Sequence, residues 1–177
     1  MLADIELLIS PYASEKRSLL HVLISELRKP DWDHFQAAVA FAKSSGNKLE
    51  LFDSMKEFAQ RGGRIDLTFG ADRFSGDGSG SEYLAVQEVL ARLGEERSVN
   101  VFLYHECGRT FHPKIYLFSN EADNRALVIV GSSNWTNGGF HNNVEANVVL
   151  RLNLRTSAHR RCFDEIRTCF QKYWVEK

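Results

Sequence analysis

Apolar positions along the chain change period several times, and each change marks an element. Asp4–Ser10 is a short apolar run ended by Pro11, a strand. Ser14 is placed to cap a helix reaching about Lys29, with Leu19, Leu20, Leu23, Ile24 and Leu27 on one stripe and Pro30 as its stop. Phe35–Phe41 reads as a buried strand of small and branched residues. Asn47–Arg61 repeats Leu51, Met55 and Phe58 at helical spacing and ends at Gly62-Gly63. Arg64–Gly70 alternates like a strand, Ala71–Gly80 is a glycine- and serine-rich loop, and Ser81 caps a helix through about Leu93. Four further strands follow, Val99–His105, Lys114–Phe118, Arg125–Val130 and Asn143–Leu152, with a polar turn at Asn120–Asn124. Thr156–Tyr173 closes the chain as an amphipathic helix with Phe163, Ile166 and Phe170 inward. The sum predicts an α/β fold: one domain over residues 1–177, a mixed β-sheet flanked by helices on both faces.

Composition narrows the function classes. The 177 residues suit one ordinary core, and 44% hydrophobic with 25% charged residues is average for a soluble domain. A formal net charge of −1 gives no overall basic surface, so affinity for nucleic acid must come from local clustering or from a region outside this chain. Cys107, Cys162 and Cys169 are an odd number without C-x-x-C spacing, which speaks against a disulfide framework and favours a cytoplasmic setting. The N-terminal residues do not read as a signal peptide, and no window approaches twenty apolar residues, so no membrane is expected as a partner. Gly76, Gly78 and Gly80 fit neither G-x-x-x-x-G-K-[ST] nor a G-x-G-x-x-G opening a helix, and a surface loop is the better reading.

The chemistry concentrates between Thr110 and Asn147, in FHPKIYLF, VGSSNWTNGG and NNVEANVV. His112 and Lys114 are two apart on a strand, so their side chains leave on one face. A neighbouring ammonium disfavours the imidazolium, and neutral imidazole is a usable nucleophile. The lysine also offers charge-assisted hydrogen bonds to a phosphoryl oxygen. Gly131-Ser132-Ser133-Asn134 follows an apolar strand and precedes a glycine-rich turn. Backbone N–H groups, hydroxyls and an amide around one small volume suit an anionic phosphoryl group. Glu145, eleven residues after Asn134, is a carboxylate able to accept from His112 Nδ1 and leave Nε2 free to attack.

H-P-K, then G-S-S-N, then a glutamate eleven residues on resembles the phospholipase D superfamily signature, H-x-K followed by G-S-x-N. The resemblance is specific over residues 110–147, and the order of elements elsewhere is compatible with a phospholipase D-like fold. It implies that His112 attacks phosphorus and forms a phosphohistidine, that Lys114, Ser132 and Asn134 hold the phosphate oxygens, and that Glu145 orients the histidine, with no metal ion and no other cofactor. The chain departs from the pattern twice. The family motif's aspartate is replaced by Ser119. The family's site also uses two motifs, one histidine as nucleophile and one as general acid, whereas this chain has one. A homodimer with the two motifs meeting across a two-fold axis supplies the second. Single-motif relatives of that kind include small bacterial endonucleases and catalytic domains of metal-independent restriction enzymes.

The expectation is therefore a metal-independent phosphodiesterase acting on nucleic acid, with DNA favoured, as an endonuclease or as the nuclease domain of a longer protein whose recognition domain or subunit lies elsewhere. A lipid phosphodiesterase and an inactive binding or dimerisation module are the alternatives. Arg109 and Trp135 are candidate substrate contacts, the indole either packing beside the turn or stacking on a base. His105 and His141 are rival acids within one chain. The arginines Arg151, Arg155, Arg160, Arg161 and Arg167 read as a solvated face before a nucleic-acid track. Asp66, Asp72 and Asp77 have no metal-ligand spacing.

Overall fold

The computed structural model describes residues 4–12, 18–44, 48–71 and 81–174. Their elements follow the chain as strand β1 (Asp4–Ser10), helix α1 (Leu19–Arg28), β2 (His34–Val39), α2 (Leu49–Gln60), β3 (Arg64–Gly70), α3 (Tyr83–Leu93), β4 (Val99–Tyr104), β5 (Lys114–Asn120), β6 (Arg125–Gly131), β7 (Glu145–Asn153) and α4 (Ser157–Tyr173). A single π-helical turn, Gly138–Asn142, sits between β6 and β7. The expected cap Ser14, the helix start at Asn47, and Asp72, Gly76, Asp77, Gly78 and Gly80 lie outside the described residues. Ser18 caps α1 instead, its Oγ accepting from the His21 N–H at 3.2 Å.

The strands form one sheet in the order β1-β7-β6-β5-β2-β3-β4. β2, β3 and β4 run parallel, and every other neighbouring pair is antiparallel, so the sheet is mixed. The parallel part follows from the β-α-β order of the first half, since a parallel return needs a crossover element. The antiparallel part follows from the short polar turn at Glu121–Asn124, where Asn124 adopts φ 58°, a conformation asparagine tolerates.

Alternation along the strands divides the apolar residues between two faces. Phe35, Leu67, Phe118 and Leu127 face the stripes of α1, α2 and α3. Ala38, Leu117, Val128 and Leu152 face α4, whose Phe163 and Phe170 are both buried, each worth about 2–3 kcal/mol of apolar burial. Helices thus cover both faces. Cys107 and Cys169 are exposed and Cys162 half-buried, and all three are free thiols. Among the described residues, no helix is long and apolar enough to cross a membrane.

Candidate active site

Antiparallel pairing brings the start of β5, the end of β6 and the start of β7 to one end of the sheet. Lys114 opens β5 opposite Val39 of β2, Gly131 ends β6 opposite Asn147, and Glu145 opens β7 opposite Ser10 of β1. His112 lies two residues before β5. The intervening Pro113 carbonyl accepts from the Ala40 N–H at 2.9 Å and fixes that segment against β2. Three segments separated in sequence therefore present His112, Lys114, Ser132 and Glu145 along one sheet end.

His112 is exposed, whereas Lys114 is only 7% exposed. Lys114 Nζ stands 3.0 Å from His112 Nδ1 and 3.1 Å from Nε2, and also donates to the His112 carbonyl at 3.1 Å. The imidazole edge meets the Phe41 ring at 5.8 Å between centroids, and Lys114 Nζ lies 5.8 Å from the same ring. Burial pushes the Lys114 pKa down, against the opposing pull of the Glu145 carboxylate. Little water screens this ammonium, so its field acts strongly on an incoming anion, less the part that the Glu145 carboxylate offsets.

Glu145 is buried. Ser132 Oγ donates to its Oε2, and Asn143 Nδ2 donates to Oε1 at 3.1 Å. The expected hydrogen bond from His112 Nδ1 to Glu145 is not formed within the chain, because both oxygens of Glu145 are held by Ser132 and Asn143 while the imidazole faces Lys114. Ser132 Oγ also accepts from the Ala146 N–H at 3.0 Å. Asn134 Oδ1 accepts from the Phe41 N–H at 3.1 Å, which leaves its amide N–H₂ unengaged among the described residues.

Several supporting residues carried no assignment in the sequence. Tyr116, two residues beyond Lys114 and wholly buried, donates its hydroxyl to the Ser133 carbonyl at 3.1 Å, and burial pushes its pKa up. Asn147 donates to Ser133 Oγ at 2.9 Å. Together they fix the motif turn to β5 and β7, and Ser133 is structural. Gly131 is required by close approach, since a Cβ there would lie 2.3 Å from the Ala146 carbonyl oxygen. The signal for these residues was period 2 in KIYLF and EANVV, which puts Tyr116 on the side of Lys114 and Asn147 on the side of Glu145.

Trp135 is corrected from a candidate substrate contact to a core residue. It is wholly buried, with its ring 6.0 Å from Phe69 and 5.7 Å from Phe140, so no indole face is open to a base. Arg109 is exposed on the turn before His112 and pairs with Glu106 at 3.4 Å. His105 is exposed after β4, and His141 is exposed in the π-helical turn. The arginines do not form one track. Arg151 reaches Glu26 on the α1 side, while Arg160 and Arg167 both bind Glu121. Asp66 is buried in a cluster with His34, Arg64 and Asn100. Ser119, at the position of the family aspartate, is buried near the far end of β5, five residues and about 17 Å along the strand from Lys114. Among the described residues, no group of three or more His, Cys, Asp or Glu is placed to hold a metal ion.

An exposed imidazole beside a buried ammonium, a hydroxyl, a carboxylate and an amide thus lie at the same sheet end. The family model described as "Cardiolipin synthase, PLD-like domain" matches residues 23–174, and the chain belongs to this phospholipase D-like phosphodiesterase superfamily. Solved structures agree on the fold. NucT from Helicobacter pylori superposes with a TM-score of 0.64 at 19% identity, covering 97% of this chain and 95% of that one. Nuc from Salmonella typhimurium, a phospholipase D family member, gives 0.63 at 14% identity, covering 97% and 94%. A polyphosphate kinase from Porphyromonas gingivalis gives 0.61 at 12% identity over 96% of this chain but 26% of that one. No curated protein sequence matches the chain.

Proposed function

We propose that the protein is a metal-independent nuclease, acting on DNA through a covalent phosphohistidine on His112 in a homodimeric site. The observation that carries this reading is the pairing of exposed His112 with buried Lys114. The ammonium stands 3.0 Å from Nδ1 of the imidazole, beside the point where a phosphate would bind. The reaction has two displacements. A ring nitrogen of His112 forms a bond to phosphorus, the bond to the leaving oxygen breaks, and a second imidazolium gives that oxygen its proton. Water then attacks phosphorus, the N–P bond breaks, and the second imidazole takes the proton of the water. Lys114, Ser132 and Asn134 bear the charge on the phosphoryl oxygens. Glu145, already braced by Ser132 and Asn143, is the carboxylate that steadies an imidazole when the complete site forms.

Polar contacts of His112 among the described residues are with Lys114 alone, so the proton donor is assigned to His112 of a second copy. Nucleic acid is favoured over lipid because the chain carries a single motif, as the small endonucleases it resembles do, and among the described residues no helix is long and apolar enough to cross a membrane. Arg109, on the exposed turn before His112, is placed to meet the substrate backbone. If cleavage is sequence-specific, target selection is assigned to a further domain or subunit.

The test is cleavage of labelled single- and double-stranded DNA in EDTA by wild type and by His112→Ala. Wild type is expected to cut, and the variant to lose about 10⁴-fold or more of the rate. A magnesium requirement with activity surviving the substitution would overturn the reading. Hydrolysis of phospholipid vesicles with no action on DNA would move the same chemistry to a lipid substrate.

A further inference from the structure

Ser10 closes β1 directly opposite Glu145 of β7, one strand spacing of roughly 5 Å away. Alternation with buried Leu8 turns its side chain towards α1 and α2, the side on which Lys114 lies with Tyr116 and Phe118. There α1 and the π-helical turn bound a cavity of about 560 Å³, within the range of small-ligand sites. Leu20, Ile24 and Phe140 supply apolar wall, and His21 and His141 line its exposed parts.

Ser10 is 4% exposed, and its Oγ has no hydrogen-bond partner among the described residues although the residue lines this cavity. A buried hydroxyl without a partner is unfavourable, and a ligand that supplies one removes the cost. The lining also disfavours an anion. Among the described residues it holds no lysine or arginine, and Glu50, which pairs with Arg28 at 3.0 Å, adds a carboxylate. Apolar walls with a hydroxyl and two imidazoles suit a neutral, flat group that carries several donors and acceptors.

We propose that this cavity is a subsite for the nucleobase beside the scissile phosphate, held by hydrogen bonds to Ser10 Oγ, His21 and His141. The inference rests on the nuclease reading and deepens it by naming where the substrate is gripped. A phosphate bound by Lys114 and Ser132 lies next to the cavity, because Ser132 Oγ donates to Glu145, the residue opposite Ser10. A base fits better than a second phosphate, for which the cavity offers no cation. It also fits better than an acyl chain, which would leave the Ser10 hydroxyl unpaired. The base must leave its stack and its pairing partner to enter.

The experiment uses 4-nitrophenyl phosphodiesters of thymidine and deoxyadenosine, esterified on O3′ or on O5′, and the same esters without a base. Release of 4-nitrophenolate in EDTA gives kcat and KM for wild type, Ser10→Ala and His141→Ala. For at least one base, on one of the two oxygens, removing the base is expected to raise the wild-type KM about 10-fold with kcat within about two-fold. Ser10→Ala is expected to raise KM about 5–10-fold on that nucleotide ester, and the effect is expected to vanish on its base-free counterpart. Its melting temperature should stay level or rise, because an unpartnered hydroxyl has been removed. His141→Ala, at an exposed position, is expected to show the same coupling to the base. A wild type indifferent to the base, or a Ser10→Ala loss of equal size with and without it, overturns the subsite and leaves the His112 chemistry standing. If wild type cleaves neither these esters nor DNA in EDTA, the nuclease reading falls and the subsite with it. Hydrolysis of phosphatidylcholine vesicles alone, slowed by Ser10→Ala, would give the cavity to a lipid head group and overturn the assignment as well.

Discussion

Two histidines at opposite ends of the sheet each stand beside a charged side chain, one an anion and one a cation. His34 Nε2 is 2.7 Å from Asp66 Oδ2, and Asp66 is wholly buried, with further hydrogen bonds from Asn100 at 2.7 Å and Arg64 at 3.2 Å. His112 has a cation for a neighbour and is open to solvent. Burial opposes ionisation of Asp66, but the hydrogen bonds from His34 and Asn100 and the charge of Arg64 outweigh it and hold its carboxyl below the usual range. At Lys114 burial wins and the charge is held at a cost. A polar cluster whose groups are satisfied among themselves stabilises the fold. One whose donors outnumber its acceptors, at an open rim, is poised for an external anion.

Substituting each histidine separates the two roles by the widest margin. His112→Ala should remove cleavage while leaving the melting temperature within about 1–2 °C, because an exposed side chain contributes little to stability. His34→Ala should keep the cleavage rate but cost about 1–3 kcal/mol by taking a donor from buried Asp66, a fall of roughly 2–4 °C per kcal/mol for a chain of this size. Calorimetry and the EDTA cleavage assay on both variants check this, and a reversed pattern would break the comparison.

Lys114→Met probes the cost of the catalytic charge. Cleavage should fall about 10²–10³-fold, as for loss of one donor to a developing oxyanion, while the melting temperature stays level or rises because a desolvated ammonium has been removed. A large fall in melting temperature would instead make Lys114 structural.

The smallest effect is on acid stability. Asp66 has a lowered folded-state pKa, so its stabilisation is present above the unfolded value of about 4 and is lost as pH falls through the folded value. Asp66→Asn should flatten the part of the stability–pH curve below about pH 4 that wild type shows, whereas His112→Ala should leave that part intact. Denaturant titrations at stepped pH measure both slopes.

Much of this division could be read from residues alone. H-P-K, G-S-S-N and Glu145 marked residues that the fold gathers at one sheet end, because a motif of this kind is a short local pattern, and the strands and helices followed from periods of 2 and about 3.6. Sheet order was not legible: β5 lies between β6 and β2 through pairing across some eighty residues, which no local pattern encodes. For Trp135 the sequence left packing beside the turn and stacking on a base both open, since no local pattern says which way the indole points. A backbone bridge from Trp135 to Ala42 turns the indole inward against Phe52 and Phe69. Glu145 was assigned to His112, but its buried oxygens are shared by Asn143 and Ser132, and partner choice within a cluster depends on side-chain placement. The glycine-rich turn was expected, but not that it would be a π-helical one, closed by the Asn143 N–H on the Gly138 carbonyl at 2.9 Å.

The central claim is that His112 is the atom donor to phosphorus, and its most direct test is to trap the intermediate. Wild type mixed with end-labelled DNA in EDTA and quenched in denaturant at alkaline pH, where an N–P bond survives, should yield labelled protein. Mass spectrometry should place the nucleotide adduct on His112, and His112→Ala should carry none. An adduct on another residue, or full cleavage with no adduct at any quench time, would contradict the account.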